Sequence, residues 1–199
     1  MSELLPAFLK LDGKKVLVVG GGNVALEKLQ HLLKTGCDLT VISKQFKAEV
    51  SALLEKDGTA RKLERAVRSE DLDGYHLVYS ATNDSETNRS LVDYANRKNI
   101  WINCVDDPRF CDFYSAAYFD RGPIRVAFST QGKFAGLAGT VRTLVGEILP
   151  EEHDEELEEL LKIRELAKVK IGDSNVRKAA LKGLLGEFRE KYLSSTTKS

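Results

Sequence analysis

Lys15-Val16-Leu17-Val18-Val19 is a short, unbroken apolar run bounded by glycines, and it predicts a strand buried on both faces of a parallel sheet. Past Gly20-Gly21-Gly22 the apolar spacing lengthens. Ala25, Leu29, Leu32 and Leu33 fall at helical intervals, and Gly36 stands where that helix is expected to end. Leu39-Thr40-Val41-Ile42-Ser43 predicts a second strand and completes a strand-helix-strand unit, for which a right-handed crossover is expected. Further strands are expected at Leu77-Val78-Tyr79-Ser80 and Ile100-Trp101-Ile102-Asn103, with a helical pattern through Leu91, Val92 and Ala95 between them. Strands alternating with helices define an α/β fold built on a Rossmann-type parallel sheet.

The pattern changes after about residue 113. Ile124-Arg125-Val126-Ala127-Phe128 alternates apolar and polar positions like a half-exposed strand, and Leu137, Val141, Leu144, Val145 and Ile148 then form a helical stripe. Pro150 precedes an acid-rich run, Glu151 to Glu159, whose carboxylates suit the positive end of a helix better than a metal ion. Leu157, Leu160, Leu161 and Ile163 continue that helix, Gly172-Asp173-Ser174 breaks it, and Ala180, Leu184, Phe188 and Tyr192 share one face of a last helix. The tail Ser194-Ser195-Thr196-Thr197 is expected to be disordered. The expected organisation is a Rossmann-type domain over 1–113, a small α/β module over 114–149 and a C-terminal helical module over 150–199. No internal repeat is visible.

Composition narrows the class. A chain of 199 residues is long enough to bury a core without disulfides or structural metal. No apolar run approaches the roughly 20 residues that cross a bilayer, and Met1-Ser2-Glu3-Leu4-Leu5-Pro6 has no basic segment leading into an apolar stretch. The expectation is a soluble protein of the cytoplasm, with no membrane partner. Thirty basic residues balance thirty acidic ones, so no global field draws the chain to nucleic acid. Cys37, Cys104 and Cys111 are odd in number and widely spaced, which points to reduced thiols and away from a disulfide framework or a thiolate zinc site.

The candidate chemistry begins at Gly20-x-Gly22-x-x-Ala25, a variant of the dinucleotide fingerprint placed between a strand and a helix. Gly20 permits the tight turn, Gly22 removes the side chain that would block a pyrophosphate, and Ala25 lets the helix approach the sheet. Asn23 and Val24 follow in the first helical turn as further cofactor contacts. The ribose-binding acid expected after the second strand is replaced by Ser43-Lys44, so the residues leave NAD and NADP open: Ser43 suits a ribose oxygen, and Lys44 suits either a 2′-phosphate or plain solvent. Ala81-Thr82-Asn83-Asp84 ends its strand at the same crevice, making Thr82 and Asn83 cofactor candidates, with helix capping by Asn83 or Asp84 as the alternative. In Asn103-Cys104-Val105-Asp106-Asp107-Pro108 the two carboxylates point opposite ways along an extended chain; Asp106 is read as the cleft base and Asp107 as the turn former. His31, His76 and His153 are isolated, and no metal site is expected.

Leu5-Pro6-Ala7-Phe8 and the run from Gly13 to Ala25 resemble the opening of the siroheme synthase N-terminal family, whose members are precorrin-2 dehydrogenases, some of them also sirohydrochlorin ferrochelatases. The resemblance continues in order through Ala81-Thr82-Asn83-Asp84 with Asn88, Asn103 to Pro108, Cys111-Asp112-Phe113, Asp120-Arg121-Gly122-Pro123 and Ser129-Thr130-Gln131-Gly132-Lys133. It implies an NAD-binding domain, dimerisation through the module at 114–149, a homodimer with active sites between subunits, and NAD as the oxidant. Asp106 matches the family's catalytic aspartate, and Thr130 matches a serine near the next glycine turn. The chain departs from the family pattern with Thr130-Gln131-Gly132 for Ser-Gly-Gly, Gly139 for an arginine, and Asn83 for an aspartate.

The implied substrate, precorrin-2, is a tetrapyrrole with many carboxylates, so a neutral protein needs local cations. Arg121, Lys133 and Arg142, near Arg109 and Arg125 in sequence, are the candidates, with Thr130 beside them. The expected reaction is hydride transfer to NAD with Asp106 taking or relaying a proton, followed in some members by insertion of ferrous iron as a second substrate. The competing readings are a non-enzymatic NAD-sensing Rossmann module and a dehydrogenase for a smaller anion.

Overall fold

The computed structural model describes residues 3–105, 107–148 and 154–195. They fall into two compact units, 1–115 and 116–199; the second holds both segments that the sequence separates at 149/150.

The first unit is built on five parallel strands: β1 Lys15–Val19, β2 Asp38–Ser43, β3 Arg61–Glu64, β4 Leu77–Ser80 and β5 Trp101–Cys104. Their order is β3-β2-β1-β4-β5. Helices α1 Asn23–Leu32, α2 Ala48–Asp57 and α3 Ser85–Lys98 connect them. The unbroken apolar run of β1 reflects its central place, since Val18 pairs with Val41 of β2 on one side and Tyr79 of β4 on the other. Alternate residues then feed opposite faces. Val16 and Val18 join Ala25, Leu29, Val50 and Leu54, while Leu17 and Val19 join Leu72, Leu91, Val92 and Ile102. Thus α1 and α2 cover one face and α3 the other, and each fully buried leucine adds roughly 2 kcal/mol of burial free energy.

Two elements of this unit escaped the sequence pattern. β3 is a sheet edge whose Arg61-Lys62-Leu63-Glu64 sequence has no buried residue, and α2 turns only Val50 and Leu54 fully inward. The first helix also ends earlier than Gly36 suggests. α1 stops at Leu32, and Gly36, with φ +70°, closes the turn that follows it.

In the second unit β6 Ala117–Arg121 and β7 Ile124–Phe128 form an antiparallel hairpin. Its two-residue loop has Gly122 at φ +48° in the first central position, followed by Pro123. The helix α4 Ala135–Ile148 packs on the hairpin, and α5 Asp154–Lys170 and α6 Ser174–Ser195 pack on each other. Three acids, Asp154, Glu155 and Glu156, open α5 as expected. Two expectations need correction here. Ser194 and Ser195 belong to α6, and the half-buried side of that helix carries Leu181, Leu184 and Phe188 while Ala180 is exposed, because the inward stripe is offset by one residue.

Candidate functional site

The sheet order reverses between β1 and β4, and the carboxyl ends of the strands at such a switch point form a natural ligand crevice. The glycine turn that leaves β1 lies there. Gly20 has φ +130°, and a Cβ on it would run into the Ala81 carbonyl beyond β4. Gly21 is equally constrained, since its Cβ would strike the Gln45 carbonyl and stand 2.9 Å from Ser43 Oγ. Gly22 differs. Its φ is −97°, and no atom lies within 4 Å of the place a Cβ would take. It is the N-cap of α1, which starts with no side-chain cap and no acid in its first turn. Open space above uncapped helix N–H groups fits a dinucleotide pyrophosphate.

Neighbouring loops frame this cradle. Lys47 N donates to Gly21 O at 2.9 Å, and Lys47 Nζ donates to Asn23 Oδ1 at 2.8 Å, fixing Asn23 at the head of α1. Val24, beside it, is 41% exposed, so an apolar side chain faces solvent where buried neighbours would be expected. Ser43 is otherwise engaged, because its hydroxyl donates to Gln45 O at 2.6 Å and closes the turn after β2. Lys44 is exposed.

At the end of β4 the buried Asn88 organises the loop. Ser80 Oγ and Thr82 Oγ1 both donate to Asn88 Oδ1 at 2.7 Å, and Asn88 Nδ2 donates to Thr82 O at 3.0 Å. Capping of α3 falls to Asp84, which accepts from the backbone N–H groups of Glu86 and Thr87. The Thr87 hydroxyl and N–H hold its carboxyl below the usual carboxylate range, with Lys44 adding a favourable charge. Asn83 is left exposed at the loop tip.

The loop after β5 is tied down on both sides of Asp106, which itself lies outside the described residues. Asp107 caps the short 3₁₀ turn Pro108–Phe110 and grips the Arg109 guanidinium, whose bonds pull its carboxyl down to about 2. Its expected turn-forming role is therefore borne out. Asn103 Nδ2 donates to Phe113 O at 2.8 Å, and Ile102 N donates to Asp112 at 2.8 Å. Cys111 Sγ bridges the N–H and carbonyl of Cys104, and burial pushes its thiol up to about 11. All three cysteines are free.

The second unit places its candidate residues on the hairpin (Arg121), on the turn that follows it (Thr130 and Lys133) and on α4 (Arg142). Lys133 N donates to Thr130 O at 3.1 Å across Gln131 and Gly132, whose φ values are +56° and +75°. Thr130 Oγ1 accepts from Phe134 N at 3.0 Å, so the hydroxyl secures the approach to α4. Arg121 donates to the Gly146 carbonyl at 2.9 Å and lies over the Phe119 ring, a bond that ties the hairpin to α4. Arg125 pairs with Asp120. Lys133 and Arg142 are exposed and form no ion pair among the described residues.

Among the described residues no group of three His, Cys, Asp or Glu side chains can hold a metal, and no helix is long and apolar enough to cross a membrane. Sequence reasoning undervalued Gly21, Asn88 and Lys47. Asn88 carried a readable signal, a polar residue at the inward position of a helix whose other inward residues are Leu91, Val92 and Ala95.

Residues 7–117 match the model of a family described as putative NAD(P)-binding. Siroheme synthase 1 of Cronobacter sakazakii is 38% identical over 148 residues, 74% of this chain and 31% of that protein. The siroheme synthase of Thioalkalivibrio sulfidiphilus is 33% identical over 193 residues, 96% of this chain and 39% of that protein. The chain thus spans about a third of the length of these curated relatives. A solved structure described as SirC, precorrin-2 dehydrogenase, superposes with a TM-score of 0.79 at 24% identity, covering 91% of this chain and 89% of its own. That likeness establishes the fold.

Proposed function

The chain belongs to the putative NAD(P)-binding family, and on that premise we propose that it oxidises precorrin-2 to sirohydrochlorin with NAD. The observation that carries the reading is the open cradle over Gly22 at the uncapped start of α1. The named relatives, siroheme synthases and a precorrin-2 dehydrogenase, supply the substrate class. When bound, NAD supplies the two-electron acceptor. Gly22 and the first-turn N–H groups of α1 hold its pyrophosphate, and Asn23 and Val24 line the same turn. Thr82 and Asn83 bound the crevice from the end of β4, and Ser43 shapes the turn after β2 without an acid to bind the ribose. The substrate loses one hydride and one proton, and Asp106 takes the proton. Lys133 and Arg142 meet substrate carboxylates, with Thr130 and Arg121 shaping the segments that present them. Ferrous iron is a second substrate, inserted after oxidation.

The protein works as a homodimer in the cytoplasm. Ala138 is the sole buried hydrophobic residue from 116 onward among the described residues, while Leu137, Leu144 and Ile148 are 46%, 54% and 75% exposed along α4. A second copy of this module supplies the missing cover. Sedimentation at micromolar concentration is expected to return a dimer, with Leu144→Asp returning a monomer.

The test of function is anaerobic incubation with precorrin-2 and NAD, following NADH absorbance and the macrocycle spectrum, with an NADP arm and an arm of sirohydrochlorin plus ferrous iron. NADH and sirohydrochlorin are expected together and are lost in Asp106→Ala. NAD binding without turnover would overturn the dehydrogenase reading in favour of an NAD-sensing module.

A further inference from the structure

One cleft in the first unit lies at the wrong end of the sheet for the dinucleotide. It encloses about 610 Å³ and is lined at the amino ends of the strands by Lys14, Leu77 and Trp101, with Lys10, Tyr75 and Lys98 around it. The glycine turn leaves the carboxyl end of β1, so strands of four to six residues separate the two places by about 15 Å. The cleft has an apolar floor, since Leu77 and Ile100 are buried beneath it, and an aromatic wall, since Trp101 is 52% exposed and Tyr75 half-buried. An indole face left open beside buried apolar residues can stack against a flat apolar body.

The charge around it selects the sign of the occupant. Three lysines face a single carboxylate, Asp73, in the lining. Asp73 is already satisfied, because Lys98 lies 3.3 Å from it and the Tyr94 hydroxyl donates to it at 3.0 Å. Lys10 and Lys14 form no ion pair among the described residues. His76 adds a donor. Its Nδ1 accepts from Lys15 N at 3.2 Å, which leaves Nε2 as the nitrogen that carries hydrogen.

We propose that this cleft is a second ligand site, distinct from the glycine turn, for a flat apolar molecule bearing an anionic group: the flat body lies against Trp101 and Tyr75, and the anion meets Lys10 and Lys14. The size suits a small aromatic carboxylate or sulfonate. The inference does not depend on the precorrin-2 reading, since neither Gly22 nor Asp106 enters it.

Trp101 is the chain's only tryptophan, so intrinsic fluorescence reports on this wall. The full chain is titrated with anilinonaphthalene sulfonate, a flat apolar anion, while tryptophan emission and energy transfer to the probe are recorded. A saturable one-to-one transfer is expected. The double variant Lys10→Glu/Lys14→Glu is expected to weaken it about tenfold or more, and Lys10→Ala/Lys14→Ala by less. Saturating NAD leaves the titration unchanged, whether or not turnover of precorrin-2 is ever seen. The proposal is overturned by no saturable transfer, by equal affinity in the charge-reversed variant with a native circular dichroism spectrum, or by displacement by NAD, which would seat the probe at the glycine turn. A tryptophan emission maximum that shifts with protein concentration, with no probe binding, would assign the cleft to a second copy of the chain and equally refute a small-anion site.

Discussion

Three adjacent glycines stand in three different surroundings, so alanine at each separates folding from binding. At Gly20 the new methyl would sit 2.8 Å from the Ala81 carbonyl carbon, well inside contact distance, on a backbone at φ +130°. The overlap costs roughly 1–3 kcal/mol as overpacking, and the backbone angle adds about 1–2 kcal/mol. Gly20→Ala should therefore lose about 3 kcal/mol, or roughly 6–12 °C in Tm for a chain of this size. At Gly21 the angle is not at issue but the crowding is, with Ser43 Oγ at 2.9 Å and the Phe46 Cα at 3.0 Å, so about 2 kcal/mol is expected. At Gly22 nothing lies within 4 Å, and the only loss is a glycine N-cap, about 0.5 kcal/mol. Thermal melts should then rank Gly20→Ala and Gly21→Ala well below Gly22→Ala. Titration with NAD should invert the lesson, with Gly22→Ala near native in Tm yet weakened about tenfold or more in binding, because its methyl occupies the pyrophosphate cradle. A Gly22→Ala variant that binds NAD like the parent would refute the placement of the pyrophosphate, and one that melts with Gly21→Ala would refute the packing argument.

Asn88→Ala removes the acceptor shared by Ser80 and Thr82 at a site 2% exposed; a loss of about 2 kcal/mol is expected in urea unfolding, together with weaker NAD binding as the Thr82 loop loosens, and an unchanged midpoint would contradict the network. Gln131→Gly should stabilise by about 0.5 kcal/mol, since relief of φ +56° outweighs the added freedom of the unfolded chain; a lower urea midpoint would mean that the glutamine side chain makes a contact worth more than the backbone strain. Cys111, with its thiol pushed up to about 11 from an ordinary 9.0, should alkylate about a hundredfold more slowly at pH 8 in the native protein than in urea. Because its folded value is raised, its protonated form supports the fold fully below pH 9.0, and that support is lost as pH rises through about 11; native labelling as fast as in urea would place the thiol outside its pocket.

What could be read in advance follows how much of an element's surroundings its own residues encode. β1 announces itself because both of its faces are buried, so every residue from Val16 to Val19 must be apolar. β3 pairs with β2 in a register that sets Leu63 against Ile42, and only its half-buried Leu63 and Lys62 reach inward, Leu63 to the core and Lys62 to Ser51 and the Phe46 ring, so no fully buried apolar residue reveals it. The same contrast holds at the site. Gly20 and Gly22 were legible because a pyrophosphate turn demands them, whereas the demand on Gly21 comes from the Gln45 carbonyl, brought near by the fold. Ser43 had the right chemistry and position for a ribose, yet a carbonyl two residues away claims its hydroxyl.

The stripe on α4 shows the opposite case, an element read correctly whose apolar face stays exposed among the described residues. Leu137, Leu144 and Ile148 lie at i, i+7 and i+11, within one narrow face, with Val141 between them. Such a face normally packs on the domain's own core, and here Ala138 takes the buried position while the three large residues stay between about half and three-quarters exposed. With 46%, 54% and 75% of these residues left to cover, their burial is worth roughly 1–2 kcal/mol each, and in a symmetric pair the term counts twice. That sum, of order 10 kcal/mol, is of the same size as the roughly 4–15 kcal/mol that association costs, so these three side chains would supply a large part of what the proposed dimer needs. In the proposed homodimer a second copy would add burial that a unit with so little interior lacks. The proposed homodimer then becomes a condition of the second unit's stability, so a variant that abolishes dimerisation through Leu144 should unfold β6, β7 and α4 before the parallel sheet.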